Sequence, residues 1–460
     1  MKNEQQPPLQ LKFLGGAGTV TGSKILVKTD NHQVLIDCGL FQGLKELRLL
    51  NWRKPPLDVA KLDAVILTHG HLDHCGYLPV LVKYGFKGPI YATKPTRDVT
   101  GIILRDSAKI QEEDAQEANR YGYSRHHPAK PLYNERDVER TLPLFETHPQ
   151  DKWIELNEEM KFCFRNSGHI LGSSIVEFEC LGRKFVFSGD LGRRHPLLMH
   201  PPALLPTADY IILESTYGDK LHSETSPYQE IAEIVNHTFS KGGILVIPSF
   251  AVERAQELLL ILNTLRQEKS IPPMPIYLDS PMGINVTELY LNYTDWHSLS
   301  PAECRTMMHD VHIIRDFELS LHVLDNINPK IIIAGSGMVT GGRVLYYLEK
   351  LLGDKKNTVL LAGFQAPGTR GSLLRSGAND IKIHGSYYTV HAEVKQIGSL
   401  SAHADQADLL WWLSHFKEAP TRIFLNHGEA QASEELRLKI NDTYGWNVAI
   451  AKMGATYNLW

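Results

Sequence analysis

Four side chains able to bind a metal stand within six consecutive residues: His69, His71, Asp73 and His74, in the stretch THGHLDHCG. This stretch follows the apolar run DAVIL, which is typical of a buried strand. Imidazole and carboxylate groups are common zinc ligands, so the run predicts a metal site more readily than a turn. His69 and His71, two residues apart, can face one ion. Asp73 and His74 fall on the next turn and can face a second.

Acidic or imidazole residues also end other apolar runs along the chain: VLID at Asp37, FCFRNSGH at His169, FVFSGD at Asp190, IILE at Glu214 and IFLNH at His427. Open α/β sheets gather their sites at the carboxyl ends of strands, so these side chains can converge. We predict that His169 joins the first ion, His427 the second, and that Asp190 bridges them. Two such ions would share a hydroxide and hold a phosphoryl or carbonyl oxygen. Asp37 is expected to orient a histidine or the loop backbone.

The length and composition predict a soluble globular protein of two domains. The chain has 460 residues, of which 43% are hydrophobic and 22% charged, and 460 residues exceed what one core usually serves. The net charge of -4 gives no global attraction to nucleic acid, so a polyanion-binding surface must be local. The five cysteines form no CxxC pair. No signal peptide or apolar run of about 20 residues is found, so we expect a cytoplasmic protein that does not contact a membrane.

The arrangement of apolar runs changes along the chain. Short strand-like runs fill the first part, interrupted from Thr96 to about Thr141 by a polar stretch with helical character. After Thr216, apolar strands alternate with amphipathic helices to about Gly363, as in YQEIAEIVNHTF followed by GGILVIPS. This alternation predicts a parallel, doubly wound sheet in the middle region.

The motifs THGHLDH, SGHILGSS, SGDLG and ESTYGD resemble the metallo-β-lactamase superfamily, and GSGM, GGR, SAHAD and NHGE extend the resemblance to its β-CASP branch. Within that branch the chain resembles bacterial and archaeal nucleases related to the endonuclease subunit of the cleavage and polyadenylation specificity factor. The resemblance implies a four-layer αβ/βα metallo-β-lactamase domain with an inserted β-CASP α/β domain. Residues 1–215 and 394–460 would form the first domain, and residues 216–393 the insertion.

The resemblance also implies the site. It assigns His69, His71 and His169 to a first zinc ion and Asp73, His74 and His427 to a second, with Asp190 bridging two Zn²⁺. The same ligands also take manganese or iron. His403, in SAHAD, corresponds to the proposed general acid. Glu214 would hold its imidazolium form, and Asp73 and Asp37 complete the catalytic set.

Contacts to the substrate are expected outside the metal ligands. GSGMVTGGR follows the strand-like run PKIIIA, and amides at a helix N-terminus suit an anion, so Ser336, Gly337 and Arg343 are candidates to touch RNA phosphates. The alternative interpretation is a tight turn that allows close packing. Ser401, two residues before His403, is a further candidate for a phosphate contact.

These observations predict a zinc-dependent ribonuclease that hydrolyses phosphodiester bonds of single-stranded RNA by attack of metal-bound hydroxide, in RNA processing or decay. In the branch it resembles, members acting on DNA tend to carry valine at the last motif, so His427 favours RNA. One alternative is a small-ester or thioester hydrolase, against which the inserted region argues. Another is a non-catalytic RNA-binding scaffold, against which the filled ligand positions argue. Endonuclease and 5′-exonuclease action stay open, as does a homodimer, which no named residue predicts.

Overall fold

Alternation of apolar and polar residues builds the strands, as in LQLKFLG, where Leu11 and Phe13 are fully buried and the lysine between them is not. The structure is a computed structural model that describes residues 9–122 and 127–459. Its strands are β1 (Leu9–Gly15), β2 (Lys24–Lys28), β3 (Gln33–Ile36), β4 (Ala64–Ile66), β5 (Ile90–Ala92), β6 (Phe145–Thr147), β7 (Trp153–Glu155), β8 (Met160–Asn166), β9 (Ser174–Cys180), β10 (Arg183–Phe187), β11 (Tyr210–Glu214), β12 (Leu245–Pro248), β13 (Ile276–Asp279), β14 (Val311–Ile313), β15 (Ile331–Ala334), β16 (Thr358–Leu361), β17 (Asp380–Ile383), β18 (Ser386–Thr389), β19 (Glu393–Gln396), β20 (Arg422–Asn426), β21 (Val448–Ile450) and β22 (Thr456–Leu459).

The helices connect these strands and cover the sheets. They are α1 (Lys45–Leu50), α2 (Leu72–Cys75), α3 (Leu78–Lys83), α4 (Lys94–Tyr121), α5 (Glu135–Thr141), α6 (Pro227–Ser240), α7 (Arg254–Gln267), α8 (Pro281–Asn292), α9 (Pro301–Met308), α10 (Phe317–Asp325), α11 (Val344–Leu351), α12 (Arg370–Arg375), α13 (Gln406–Leu413) and α14 (Ala430–Tyr444). The helical character expected between Thr96 and Thr141 is confirmed by α4 and α5. Within the described residues, no helix combines the length and apolar composition that crossing a bilayer requires.

The chain divides into two compact units: one of Met1–Pro196, His200–Leu221 and His403–Trp460, the other of Leu197–Met199 and His222–Ala402. The domain limits expected after residues 215 and 393 stay a prediction.

Two seven-stranded sheets make up the first unit. Their strand orders are β22-β1-β2-β3-β4-β5-β6 and β21-β20-β11-β10-β9-β8-β7. Between them lies an aromatic-rich core in which Phe13 and Ile36 of the first sheet belong to the same cluster as Phe178 and Phe424 of the second. A second cluster joins the other face of the second sheet to α13 and α14, through Trp412 and Leu436. This layering confirms the expected α/β architecture.

The second unit contains a six-stranded sheet of order β14-β13-β15-β12-β16-β19. All its paired strands run parallel, so the predicted parallel sheet is confirmed. Its core includes Val246 and Ile332 from the strands and Leu348 from α11. The antiparallel pair β17–β18 forms a separate small sheet in this unit.

Candidate metal centre

The predicted metal-binding side chains converge in the first unit although they come from four separate segments of the chain. His69 and His71 follow β4, and His71 is the N-terminal cap of α2. The ligand atoms of one group lie within 4.8 Å of one another: His69, His71, His169 and Asp190. The same limit holds for a second group: Asp73, His74 and His427. Apart from Asp190, which was expected to bridge the ions, these groups contain the same residues as the two ligand sets expected from the sequence, and their binding of metal stays a prediction.

Asp190, which lies three residues after β10, stands between the two groups. Its Oδ2 is 3.4 Å from His69 Nε2 and 3.5 Å from His169 Nε2. Its Oδ1 is 3.3 Å from both His74 Nε2 and His427 Nδ1. One carboxylate therefore faces both groups with different oxygens, which is the arrangement that a bridging ligand needs.

Two histidines of the first group, His69 and His71, are held in the neutral form that a metal ligand requires. Burial lowers the pKa of His69 well below its usual 6.5. Burial also lowers the pKa of His71 to about 4, although Asp73 and Asp190 act in the opposite direction. A neutral imidazole keeps one ring nitrogen free to donate its lone pair to a cation.

The cluster contains buried polar atoms without hydrogen-bond partners, and a bound cation would satisfy them. His69 Nε2 and Asp190 Oδ1 are buried and form no hydrogen bond within the part of the chain that the structure describes. Burial lowers the pKa of His74, but Asp190 and Asp37 raise it well above 6.5, and the same negative charge would favour a metal cation in place of that proton. Nitrogen and carboxylate donors suit zinc, manganese or iron, so the residues fit one or two divalent ions.

Asp37 belongs to neither group of ligands, and it orients part of the cluster through hydrogen bonds. Its carboxylate accepts hydrogen bonds from His74 Nδ1 at 2.7 Å and from the Thr68 N–H at 2.8 Å. An ionised carboxylate only accepts, so His74 must carry its proton on Nδ1, which leaves Nε2 directed toward Asp190. The backbone of Asp37 has a φ of 60°, in the left-handed region that aspartate and asparagine tolerate best. Asp37 thus orients both a histidine and the loop that precedes His69.

The position of His427 is fixed by contacts that we did not predict from the sequence. Its backbone has a φ of 50°, and its N–H donates to Gly16 O at 2.7 Å. Thr216 Oγ1 donates to His427 O at 3.1 Å and lies 3.2 Å from His427 Nδ1. Glycine suits position 16 because its backbone φ is 72°, in the left-handed region, and because an added Cβ would lie 2.8 Å from Asn426 Nδ2. The glycine-rich run after β1 and the threonine of ESTYGD were the available signals for these roles.

His403, which is partly buried, and Glu214, which is fully buried, form a pair beside the cluster. His403 Nδ1 lies 3.1 Å from Glu214 Oε2, and Nε2 lies 3.9 Å from Asp190 Oδ2. The N–H of Leu191 donates to Glu214 Oε1 at 2.6 Å, which fixes the carboxylate. Burial alone would lower the pKa of His403, but Glu214 and Asp190 raise it to about 9. The imidazole therefore carries a proton at neutral pH, next to the metal-binding side chains.

The residues expected to touch RNA phosphates lie in the second unit. The sequence placed Ser336 and Gly337 at the start of a helix, and this is wrong because α11 begins at Val344. Gly337 instead packs closely, since an added Cβ would lie 2.6 Å from a ring carbon of Phe250. Ser336 Oγ accepts from the Thr340 N–H at 3.2 Å.

Arg343 caps α11, and its guanidinium is already occupied within the second unit. It donates to Asp279 Oδ1 and to Arg315 O, both at 2.5 Å, and to Ile314 O at 3.1 Å. Ser401 is buried. The phosphate contacts of these four candidates stay a prediction, and the donors of Arg343 serve the packing of β13 and α11.

Three family models match the chain. Residues 18–233 match the metallo-beta-lactamase superfamily, residues 255–374 the Beta-Casp domain, and residues 387–451 the Zn-dependent metallo-hydrolase RNA specificity domain.

Full-length relatives agree with these models. The chain is 35% identical to Ribonuclease TTHA0252 of Thermus thermophilus, covering 96% of this chain and 97% of the relative. It is 32% identical to the RNase J-like protein of Methanocaldococcus jannaschii, covering 94% of this chain and 95% of the relative. A solved protein of unknown function from Enterococcus faecalis shares the fold, with a TM-score of 0.54, 14% identity, and 98% of this chain and 100% of that one covered.

Proposed function

Because the chain belongs to the metallo-β-lactamase superfamily and to its β-CASP branch, we propose that it is a zinc-dependent ribonuclease that hydrolyses phosphodiester bonds of single-stranded RNA. A relative covered almost end to end is named a ribonuclease, and the match to an RNA specificity domain points to the same substrate class. The resemblance expected from the sequence is thereby confirmed, and so is the four-layer fold with its β-CASP insertion.

The observation that carries the proposal is the position of Asp190 between two groups of ligands. Its two oxygens face His69 and His169 on one side and His74 and His427 on the other, at 3.3 to 3.5 Å. A single-ion site would need only one of these groups.

Divalent ions bound by these ligands would lower the pKa of a water nucleophile and neutralise charge on the phosphate. The chain itself supplies the acid. His403 presents Nε2 on the side of Asp190 while Glu214 holds Nδ1, so the proton on Nε2 can be given to the departing oxygen. Since the pKa of His403 is about 9, the imidazole is protonated at neutral pH, as an acid must be.

The experiment that tests this proposal compares three substrates with the purified protein, after its metal content has been measured. End-labelled single-stranded RNA carrying a 5′-phosphate or a 5′-triphosphate should be cut, whereas a chromogenic thioester should not. The ladder of labelled products distinguishes internal cleavage from removal of nucleotides at the 5′ end. Turnover of the thioester without RNA cleavage would contradict the proposal and favour the small-ester hydrolase. A protein that binds metal and cuts neither substrate would be the RNA-binding scaffold.

The role of His403 has its own matched control. His403→Ala should keep the metal content and lower RNA cleavage by about 10²- to 10⁴-fold, the usual range for a general acid. His384 also pairs with a glutamate, with Nδ1 3.0 Å from Glu349 Oε1, but this pair lies in the second unit and is partly exposed. His384→Ala should leave cleavage unchanged. Equal turnover in wild type and His403→Ala would remove the acid assignment.

A further inference from the structure

The segment after β3 carries positive charge in a chain that is acidic overall. Residues 45–54, KELRLLNWRK, contain four cations and one carboxylate, whereas the whole chain has 48 basic and 52 acidic residues. We call this segment the basic strip. The four cations are Lys45, Arg48, Arg53 and Lys54, and all are exposed. Within the described residues, none of them forms an ion pair.

An exposed indole, that of Trp52, lies between Arg48 and Arg53 in the sequence. Trp52 is 58% exposed, an unusual state for a side chain of this size. Leu49 of the same segment and Leu44, immediately before it, are also about half exposed. A ring face open to solvent beside unpaired guanidinium and ammonium groups can stack on a nucleobase while the cations bind phosphates.

The positive surface continues into a neighbouring cavity of the same unit. This cavity has a volume of about 250 Å³, and Lys12, Lys28 and Lys61 line it together with Pro56, two residues after the basic strip. Among the described residues that line the cavity, only Asp58 carries a carboxylate, and its Oδ2 lies 3.8 Å from Lys61 Nζ. Even if Lys61 pairs with Asp58, the ammonium groups of Lys12 and Lys28 can still bind an anion in this cavity.

The basic strip is held firmly on the loop that supports the metal centre. The buried Asn51 side chain donates to Phe41 O at 2.8 Å and accepts from the Phe41 N–H at 2.9 Å. Tyr77, three residues after His74, donates its hydroxyl to Arg53 O at 3.2 Å. The side chains of the strip therefore project from a backbone whose position is fixed relative to the metal ligands of this unit.

We propose that the basic strip, with the lysine-lined cavity beside it, binds a stretch of the single-stranded RNA substrate away from the scissile bond. This inference rests on the proposed ribonuclease function and names where additional nucleotides are held. Unpaired bases stack on Trp52, and Arg53 and Lys54 neutralise adjacent phosphates. A long RNA gains affinity from this surface, whereas an RNA too short to reach it gains none.

The test uses the metal-loaded protein and two RNAs of about 30 and about 6 nucleotides, the first well above and the second near the lower end of the site sizes of about 4–16 nucleotides that single-strand-binding folds show. Trp52→Ala should raise the KM for the long RNA about tenfold, the typical loss of one stacked base, and leave kcat unchanged. Trp52→Phe, which keeps a ring, should restore most of the affinity. Arg53→Glu with Lys54→Glu should weaken binding of the long RNA and lower its salt dependence by about 1.4 in log–log slope.

The matched control reverses the same charge elsewhere in the first unit. Lys417→Glu with Lys439→Glu alters two exposed lysines outside the basic strip and should change neither KM nor the salt dependence. The inference is overturned if the KM for the long RNA is the same in the wild type and in both strip variants. It is also overturned if the strip variants raise the KM for the short RNA as much as the KM for the long RNA. If the wild type cuts neither RNA, the ribonuclease proposal fails. Fluorescence anisotropy with the long RNA then decides separately whether the strip binds it, and unchanged anisotropy in the strip variants refutes the inference.

Discussion

Replacing Asp37 by asparagine should weaken metal binding at the second group of ligands without unfolding the protein. The change keeps the shape of the side chain, and asparagine tolerates the left-handed backbone that Asp37 adopts at a φ of 60°. Alanine would add backbone strain at this position and confuse the result. The substitution therefore isolates the loss of the carboxylate.

The hydrogen bonds of Asp37 indicate the size of the effect. The carboxylate accepts from His74 Nδ1 at 2.7 Å and from the Thr68 N–H at 2.8 Å. An asparagine side chain has one oxygen, so its amide group must face one of these two donors. If it faces His74, the imidazole avoids the clash by moving its proton to Nε2, the atom that should bind the ion. A lost charge-assisted hydrogen bond costs about 1.5–3 kcal/mol, which corresponds to about 10- to 100-fold in metal affinity.

The measurement is a competition titration of the apo-protein with zinc against a chromophoric chelator, together with elemental analysis after dialysis. Asp63→Asn is the matched control, since Asp63 Oδ2 also faces a histidine, His32 Nδ1 at 3.3 Å, and a backbone N–H, at Gln33. That pair is partly exposed and lies outside the cluster, so its loss should leave zinc affinity unchanged. An Asp37→Asn protein that binds zinc as tightly as the wild type would refute the reasoning, as would an equal loss in the control.

Other consequences of the structure can be measured in the same way. His427→Ala should lower occupancy of the second group, because His427 Nε2 faces Asp73 at 3.3 Å; full occupancy of two ions by elemental analysis would show that His427 is not a ligand. Removal of zinc with a chelator should lower the melting temperature, since a ligand at about 1,000 times its Kd adds about 4 kcal/mol to the stability; a thermal scan that does not respond to the chelator would argue against a metal bound to the folded state. Lys24 is buried with its ammonium hydrogen-bonded to Gly39 O, and burial lowers its pKa to about 8 although Cys38 acts in the opposite direction. The unfolded chain then binds more protons than the folded one between pH 8 and 10.5, so the free energy of unfolding of the wild type relative to Lys24→Met should rise across this window by up to about 3 kcal/mol, which urea titrations at several pH values can detect. A constant difference between the two proteins would indicate that Lys24 titrates normally.

The sequence determined the types of the ligands because the HxHxDH run and the strand ends are local features. A strand ends near the point where its apolar run stops, so the polar residues just beyond it can be identified from the sequence, as with Asp190 at the end of FVFSGD. The parallel sheet of the second unit was predictable for the same reason, since each apolar run and each helix lies within a short stretch. Motifs such as ESTYGD and SAHAD also identified the β-CASP branch of the superfamily.

Only the tertiary structure decided which atoms face one another. His74 and His427 are separated by 353 positions in the chain, yet their Nε2 atoms lie 3.2 Å apart. No spacing rule relates such residues, because their distance depends on the pairing of β11 with β20 and on the packing of two sheets. The same holds for Arg343, a plausible phosphate ligand by sequence, whose donors the fold directs to Asp279 and to backbone carbonyls. Composition and spacing limit which groups are present, whereas long-range packing fixes their distances, and metal binding depends on those distances within a fraction of an ångström.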